Sequence, residues 1–274
     1  MQAKIGFIGG GHMATAILEG LVEHYPKSLL YVADRNAPKR EYFSETLGIN
    51  TASHFSEFID EMDAIVLAIK PQGFPELLPE LKPHLKEETL VISVAAGISS
   101  EAILRALGRE TQPLVRTMPN IPAAVGLGAT ALFSPNTLTD SHAALTETIF
   151  NACGITTWVE KEALLSAVIS VSGSSPAYFF YLLEIMIDAG VKLGLSRESS
   201  EILAKQTMLG SAQISLDSDK SVKALKESVM SPEGTTEQAI FSFERDDLQQ
   251  IIERGMQAAF DRDQVLSSEI SKKL

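Results

Sequence analysis

In the first 160 residues, apolar positions come in short β-branched runs separated by stretches with helical spacing. The runs predict strands over 4–8, 29–33, 64–69, 90–94, 114–117, 129–133 and 156–159. Between the first two, Met13, Ile17, Leu18 and Leu21 share one face of a helix predicted over 13–23. Strands alternating with helices imply βαβ units, hence an α/β domain with a doubly wound, mainly parallel sheet. From about residue 161 the strand pattern stops. Helical patterns follow over 162–170, 176–195, 197–216, 222–229, 235–243 and 248–271. The reading is two domains, 1–160 and 161–274, the second all-helical, with a change of class between them and no flexible tether.

The pattern over 176–195 is apolar almost all round, with Tyr178, Phe179, Phe180, Leu182, Leu183, Ile185, Met186 and Ile187 on several faces. Such a helix must be covered on several sides. The helical remainder is too small to enclose it alone, so a second copy of the chain is expected as cover. Glu184, Asp188 and Lys192 recur at four-residue spacing on one face, which rules out a membrane span.

Composition narrows the partners. The 274 residues carry a net charge of −12 with no basic segment, so nucleic acid is not an expected ligand. An anionic ligand must be held locally, by helix N-termini and single basic side chains. Cys153 is the only cysteine, which excludes a disulfide within the chain and fits a reducing compartment. The start MQAKIGFIGG enters a strand at once and leaves no room for a signal peptide. The expectation is a soluble, cytoplasmic protein. No metal site is expected.

Candidate chemistry begins at the first strand. Gly9-Gly10-Gly11-His12-Met13-Ala14 reads G-x-G-x-x-A between a strand and a helix, the dinucleotide fingerprint. Gly9 permits the tight turn, Gly11 lets pyrophosphate approach the backbone, and Ala14 keeps the helix close to the sheet. The second strand ends in Asp34-Arg35. A carboxylate there suits a ribose 2′-hydroxyl and an arginine a 2′-phosphate; with Lys39 and Arg40 nearby, the reading is NADPH with NADH tolerated. Ala68, Lys70 and Pro71 end the third apolar run, and Ser93 to Gly97 end the next, where the small Ala96 and Gly97 leave room for a flat nicotinamide ring.

Six segments, in order along the whole chain, resemble the pyrroline-5-carboxylate reductase family: FIGGGHMA (7–14), AIKPQ (68–72), VAAG (94–97), RTMPNIP (116–122), VSGSSPAY (171–178) and MSPEGTTEQAI (230–240). The last two are specific, whereas the first fingerprint is shared by many families. The resemblance implies NAD(P)H-dependent reduction of Δ1-pyrroline-5-carboxylate to L-proline, the closing step of proline biosynthesis. It also implies a Rossmann domain followed by a helical domain that interlocks with a second subunit, as a dimer or a larger ring. The active site would then lie between one subunit's nicotinamide and its partner's helical loop. Three positions depart from the family pattern: His12 stands where Asn or Gln is common, Ile121 replaces Thr, and Glu233 replaces a Gly.

Within that frame, Thr236 is the expected donor to the imine nitrogen. The backbone amides of Gly234, Thr235 and Thr236 would hold the substrate carboxylate at a helix start. Thr235 with Gln238 has capping-box spacing, so Thr235 is the expected cap. Val229 and Ser231 line the same loop by resemblance. Ser174 is expected to cap the helix that starts near Pro176. Asn120 either sits near the nicotinamide amide or makes a turn. No lysine occurs between Lys161 and Lys192, which counts against the related hydroxyacid reductases. A related imine reductase and a non-catalytic cofactor-binding protein are the alternatives.

Overall fold

A computed structural model describes residues 2–271. Eight strands form one sheet: β1 (Ile5–Ile8), β2 (Leu30–Ala33), β3 (Asn50–Ala52), β4 (Ala64–Leu67), β5 (Leu90–Ser93), β6 (Leu114–Met118), β7 (Gly128–Phe133) and β8 (Gly154–Trp158). Their order is β3-β2-β1-β4-β5-β6-β7-β8. Pairing is parallel from β3 through β6, reverses between β6 and β7, and is parallel again between β7 and β8. The expected α/β class with a mainly parallel sheet is what the chain forms. β1, β4 and β5 are buried along their whole length, which is why they read as unbroken apolar runs.

The period-2 pleat sends alternate residues of each strand to opposite faces. Ile5, Phe7, Val32 and Val66 face α1 (His12–Leu21), where Ile17, Leu18 and Leu21 are fully buried or nearly so. After α2 (Ala37–Glu41), the opposite face is covered by α3 (Phe74–Leu81) and α4 (Ser100–Leu107). Ile8, Ile65, Leu67 and Val91 pack there against Phe74, Leu78, Ile103 and Leu107. α5 (Asp140–Asn151) completes the first face with Ile149 and Phe150. Strand order departs in both directions from β1, with β2 on one side and β4 on the other. In open α/β sheets this switch point is where ligands bind, beyond the carboxyl ends of the strands.

The chain divides into two compact units, one running to Ser174 and rejoined by the stretch from Ala259, the other Ser175–Ala258. The end of the strand pattern at β8 matches the change of class read from sequence, but the compact units divide later. α6 (Leu164–Val168) belongs with the sheet, and Ser166 on it is tied to the returning chain. Its hydroxyl donates to Asp263 at 2.7 Å and accepts from Gln264 at 2.7 Å. At the sheet's edge the indole N–H of Trp158 donates to Glu147 of α5 at 2.6 Å. Cys153 is buried, which pushes its thiol up to about 11 and leaves it inert.

The second unit holds α7 (Ser175–Lys192), α8 (Arg197–Asp217), α9 (Val222–Ser228), α10 (Thr235–Arg245) and the first turns of α11 (Leu248–Ser271). α7 and α8 pack on each other, and Arg197 pairs with Asp188 at 2.7 Å. Little else is covered. On α7 Phe179, Phe180 and Tyr181 are 54%, 63% and 65% exposed, a contiguous apolar surface of the kind that marks an interface. Among the described residues no helix is long and apolar enough to cross a membrane.

Candidate active site

The glycine loop is set by three constraints. Gly9 has φ +98°, and a Cβ there would stand 2.7 Å from the Ala68 carbonyl oxygen. Gly10 donates its N–H to Asp34 Oδ2 at 2.8 Å, and a Cβ on it would meet the Phe43 ring at 2.5 Å. Gly11, the N-cap of α1, has open space on its Cβ side, the nearest atom being the Ala68 oxygen at 3.9 Å. Gly9 thus makes the turn and Gly11 leaves the approach clear, while the helix behind carries no acidic residue in its first turn. Ala14 is fully buried, Met13 is half-buried, and His12 is exposed at the first helical position.

Asp34 does more than sequence showed. Its carboxylate accepts the N–H groups of both Gly10 and Asn36 at 2.8 Å, and Lys39 Nζ lies 3.4 Å away. Burial pushes its pKa up, but the Asn36 and Gly10 N–H groups, with Lys39, outweigh that and hold it below the usual carboxylate range. A depressed folded pKa contributes stability that is present above the ordinary carboxylate range and lost as pH falls through the lowered value. Arg40 is spent on the backbone, donating to the carbonyls of Asp34 and Arg35 at 2.8 and 3.0 Å. Arg35 is left exposed at the mouth of a cleft of about 320 Å³, which Lys70 also lines. Ser53, His54 and Phe55 form another part of its wall. These three were not foreseen, because β3, which delivers them, was not.

On the other side of β1, two loops follow β5 and β6. Gly97 has φ +74°, and its Cβ position lies 3.1 Å from Ile270 of α11, so Ala96 and Gly97 form a tight turn without bulk. Asn120 accepts the Ala129 N–H at 2.8 Å and donates to the Ser172 carbonyl at 3.1 Å, which braces the loop after β6 against β7. Pro71 opens a short turn ahead of α3. Ser174 adopts the right-handed helical conformation after a π-helical turn, Ile169–Gly173, so it does not cap α7 as expected. An N-cap would be extended.

The second unit carries the hydroxyl-rich loop. α10 starts at Thr235 with Gly234 as its N-cap, so Thr235 is not the cap that its spacing to Gln238 suggested. The Ser231–Gly234 turn decides the start: the Gly234 N–H donates to the Ser231 carbonyl at 2.9 Å. Glu237 then reaches back to the Glu233 N–H at 2.8 Å. Gly234's amide is therefore spent, and the N–H groups of Thr235 and Thr236 are left as first-turn donors. Thr235, Thr236, Ser231 and Val229 are all exposed. Glu233 is held at φ +58°, a left-handed conformation that costs a side-chain-bearing residue about 1–2 kcal/mol. Glu233→Gly is expected to raise stability by about 0.5–1 kcal/mol in urea unfolding, the gain being trimmed by the freer unfolded chain. An unchanged midpoint would show that Glu233 sits there without strain.

Comparison with known proteins gives matches along the whole chain. Residues 162–266 match a family model described as pyrroline-5-carboxylate reductase dimerisation, and residues 4–97 one described as NADP oxidoreductase, coenzyme F420-dependent. The pyrroline-5-carboxylate reductase of Pseudomonas aeruginosa is 37% identical over 270 residues, covering 98% of each chain. A solved pyrroline-5-carboxylate reductase from Coxiella burnetii superposes with a TM-score of 0.94 at 37% identity, covering 97% of this chain and 99% of that one. The Plasmodium falciparum pyrroline carboxylate reductase, solved with NADP bound, gives 0.84 at 30% identity over 97% and 98%. With relatives this similar over both the glycine-loop unit and the helical unit, the chain belongs to the pyrroline-5-carboxylate reductase family.

Proposed function

We propose that this chain catalyses the NAD(P)H-dependent reduction of the C=N bond of Δ1-pyrroline-5-carboxylate to L-proline, the last step of proline biosynthesis. The observation that carries the reading is the pair of sites in one chain of this family. One is a glycine loop at the sheet's switch point, and the other is a helix start bearing two hydroxyls and two unspent N–H groups.

The residues at the switch point fit a dinucleotide. The space over Gly11 admits phosphate oxygens, the α1 N-terminus favours their charge, and Arg35 and Lys70 are cations without a partner among the described residues. When bound, NADPH supplies the hydride. Asp34 keeps the loop in shape for it and retains lone pairs for a ribose hydroxyl. On the substrate side, Thr235 and Thr236 N–H groups hold the carboxylate. The Thr236 hydroxyl donates to the imine nitrogen, which becomes more basic as the ring is reduced. Glu237 engages the Glu233 amide and so keeps its own charge off the Thr235 and Thr236 donors.

The exposed α7 surface and the matched dimerisation segment support an intertwined homodimer, in which the cofactor end of one subunit and the α10 loop of the other complete the site. Cytoplasmic location is part of the same reading, in line with the single, reduced and buried Cys153.

The direct test follows NADPH oxidation with pyrroline-5-carboxylate, six-membered cyclic imines and hydroxyacid–ketoacid pairs, and identifies the product. Proline formation with clear preference for the five-membered imine is expected; preference for another substrate would move the chain to a related reductase. Tight NADPH binding without any turnover would make it a cofactor-binding protein. Mass measurement at micromolar concentration should find at least a dimer, and a stable active monomer would end the shared-site reading. Arg35→Ala should weaken NADPH binding by about 1–3 kcal/mol, the scale of a charged hydrogen bond, and leave NADH nearly untouched. Equal losses for both would remove Arg35 from 2′-phosphate recognition.

A further inference from the structure

The loops that follow β5 and β6, read from sequence as the nicotinamide end, are tied together by a single carboxylate. Glu162, shortly past β8, accepts the Ser100 N–H at 2.6 Å and Arg116 Nη1 at 2.7 Å on one oxygen, and the Ser100 hydroxyl at 2.8 Å on the other. Ser100 is the first residue of α4 and ends the loop that contains Ala96 and Gly97. Arg116 lies on β6, whose chain runs on into Met118, Pro119 and Asn120. The side chains of Arg116 and Glu162 are only 12% and 27% exposed. Arg116 has no other ion-pair partner among the described residues, and its Nε is buried without a hydrogen bond. On their far sides the same loops are stopped by Ile270 against Gly97 and by the Asn120–Ser172 bond.

We propose that Glu162 is a positioning residue for hydride transfer, which sets the separation of the β5 and β6 loops and thereby the seat of the reduced ring. The proposal rests on the proposed function and on the sequence reading that puts the nicotinamide beside Ala96, Gly97 and Asn120. Glu162 touches neither reactant in this scheme; it acts through Ser100 and Arg116. Near-attack geometry is steep in distance, and a displacement of about 1 Å costs about a hundredfold in rate. The adenosine half, bound beyond β1 and β2, is outside the clamp's reach.

Glu162→Gln tests this, since a carboxamide carries no charge for Arg116 and puts an NH2 where one carboxylate oxygen accepted. The expected result is a fall in kcat of about ten- to a hundredfold with less than about threefold change in KM for the imine. Calorimetric affinity for 2′-phospho-ADP-ribose, which lacks the ring, should be unchanged, while the fluorescence lifetime of bound NADPH should shorten. Because Glu162→Gln leaves Arg116 as an unpaired buried cation, the double variant Arg116→Met/Glu162→Gln removes both charges together and should show the same split. Ser100→Ala, which keeps the ion pair, should lose only a few-fold in kcat. Wild-type kcat in folded Glu162→Gln would overturn the proposal. So would a parallel loss of kcat, KM and 2′-phospho-ADP-ribose affinity in both the single and the double variant, which is the signature of a merely structural brace. Should the wild type reduce no cyclic imine, the functional reading fails by itself. The clamp is then judged by the NADPH lifetime, and an equal lifetime in wild type and variant overturns it.

Discussion

Replacing Gly9 by alanine is expected to lower stability by about 3–5 kcal/mol and to leave no measurable NADPH binding. Two costs add. A φ of +98° lies where a side-chain-bearing residue is strained, worth about 1–3 kcal/mol. The new methyl would also stand 2.7 Å from the Ala68 oxygen and 2.8 Å from Ile69 Cγ2. Ala68 cannot step aside, because its own N–H is bonded to the Ile8 carbonyl at 2.9 Å, and overpacking of this kind costs about 1–3 kcal/mol more. Gly11→Ala is the matched control. Its φ is −78° and its Cβ would meet nothing nearer than 3.9 Å, so stability should change by less than about 1 kcal/mol. The methyl instead occupies the approach left for pyrophosphate, so cofactor affinity should fall. Denaturant unfolding beside NADPH titration separates the two, and similar behaviour of both variants would show that the loop's glycines are not divided in this way.

Thr236→Val is expected to reduce kcat/KM by about 1.5–3 kcal/mol, roughly ten- to a hundred-and-fifty-fold, with NADPH affinity unchanged. Valine keeps the shape and removes only the donor. Thr236 is exposed at the second position of α10 and makes no bond within the helix start, so its hydroxyl has no structural duty to lose. Thr235→Val provides the comparison. Since Gly234 and not Thr235 is the cap, that variant should leave stability within about 0.5 kcal/mol of wild type. Near-full activity of Thr236→Val would mean that the nitrogen takes its proton from water or arrives already protonated, with the loop serving only to hold the carboxylate.

Much of the architecture was legible because burial writes itself into composition. Seven of the eight strands were located from apolar runs, and the long helices of the second unit from their spacing. β3 escaped because it is three residues, Asn50-Thr51-Ala52, at the sheet's edge, with only Ala52 buried. It is a strand by virtue of pairing with β2, and no apolar pattern announces it. Its omission concealed Ser53, His54 and Phe55 as cleft residues. The cleft's two cations and the glycine loop were readable, since each rests on residue type at a strand end. Contacts between distant residues were not: Asp34 holding Gly10, Asn120 joining Ala129 to Ser172, and Glu162 tying Ser100 to Arg116 depend on which strands end side by side. The start of α10 fell one residue from its expected cap for a local reason. The tight turn from Ser231 and the left-handed Glu233 place Gly234 in the extended conformation before the Thr235–Gln238 spacing can act.

The bond between Trp158 and Glu147 gives the chain a built-in optical probe. Trp158 is the only tryptophan, so indole emission reports from one point, the end of β8 beside α5. Far-ultraviolet ellipticity, in contrast, sums the helices of both units, the long α7 and α8 of Ser175–Ala258 among them. Emission recorded on one sample during heating therefore follows the sheet-bearing unit alone, while ellipticity follows both units of the same chain. Coincident curves mean one cooperative transition, and an ellipticity curve that leads or lags the emission reveals helices that melt apart from the sheet.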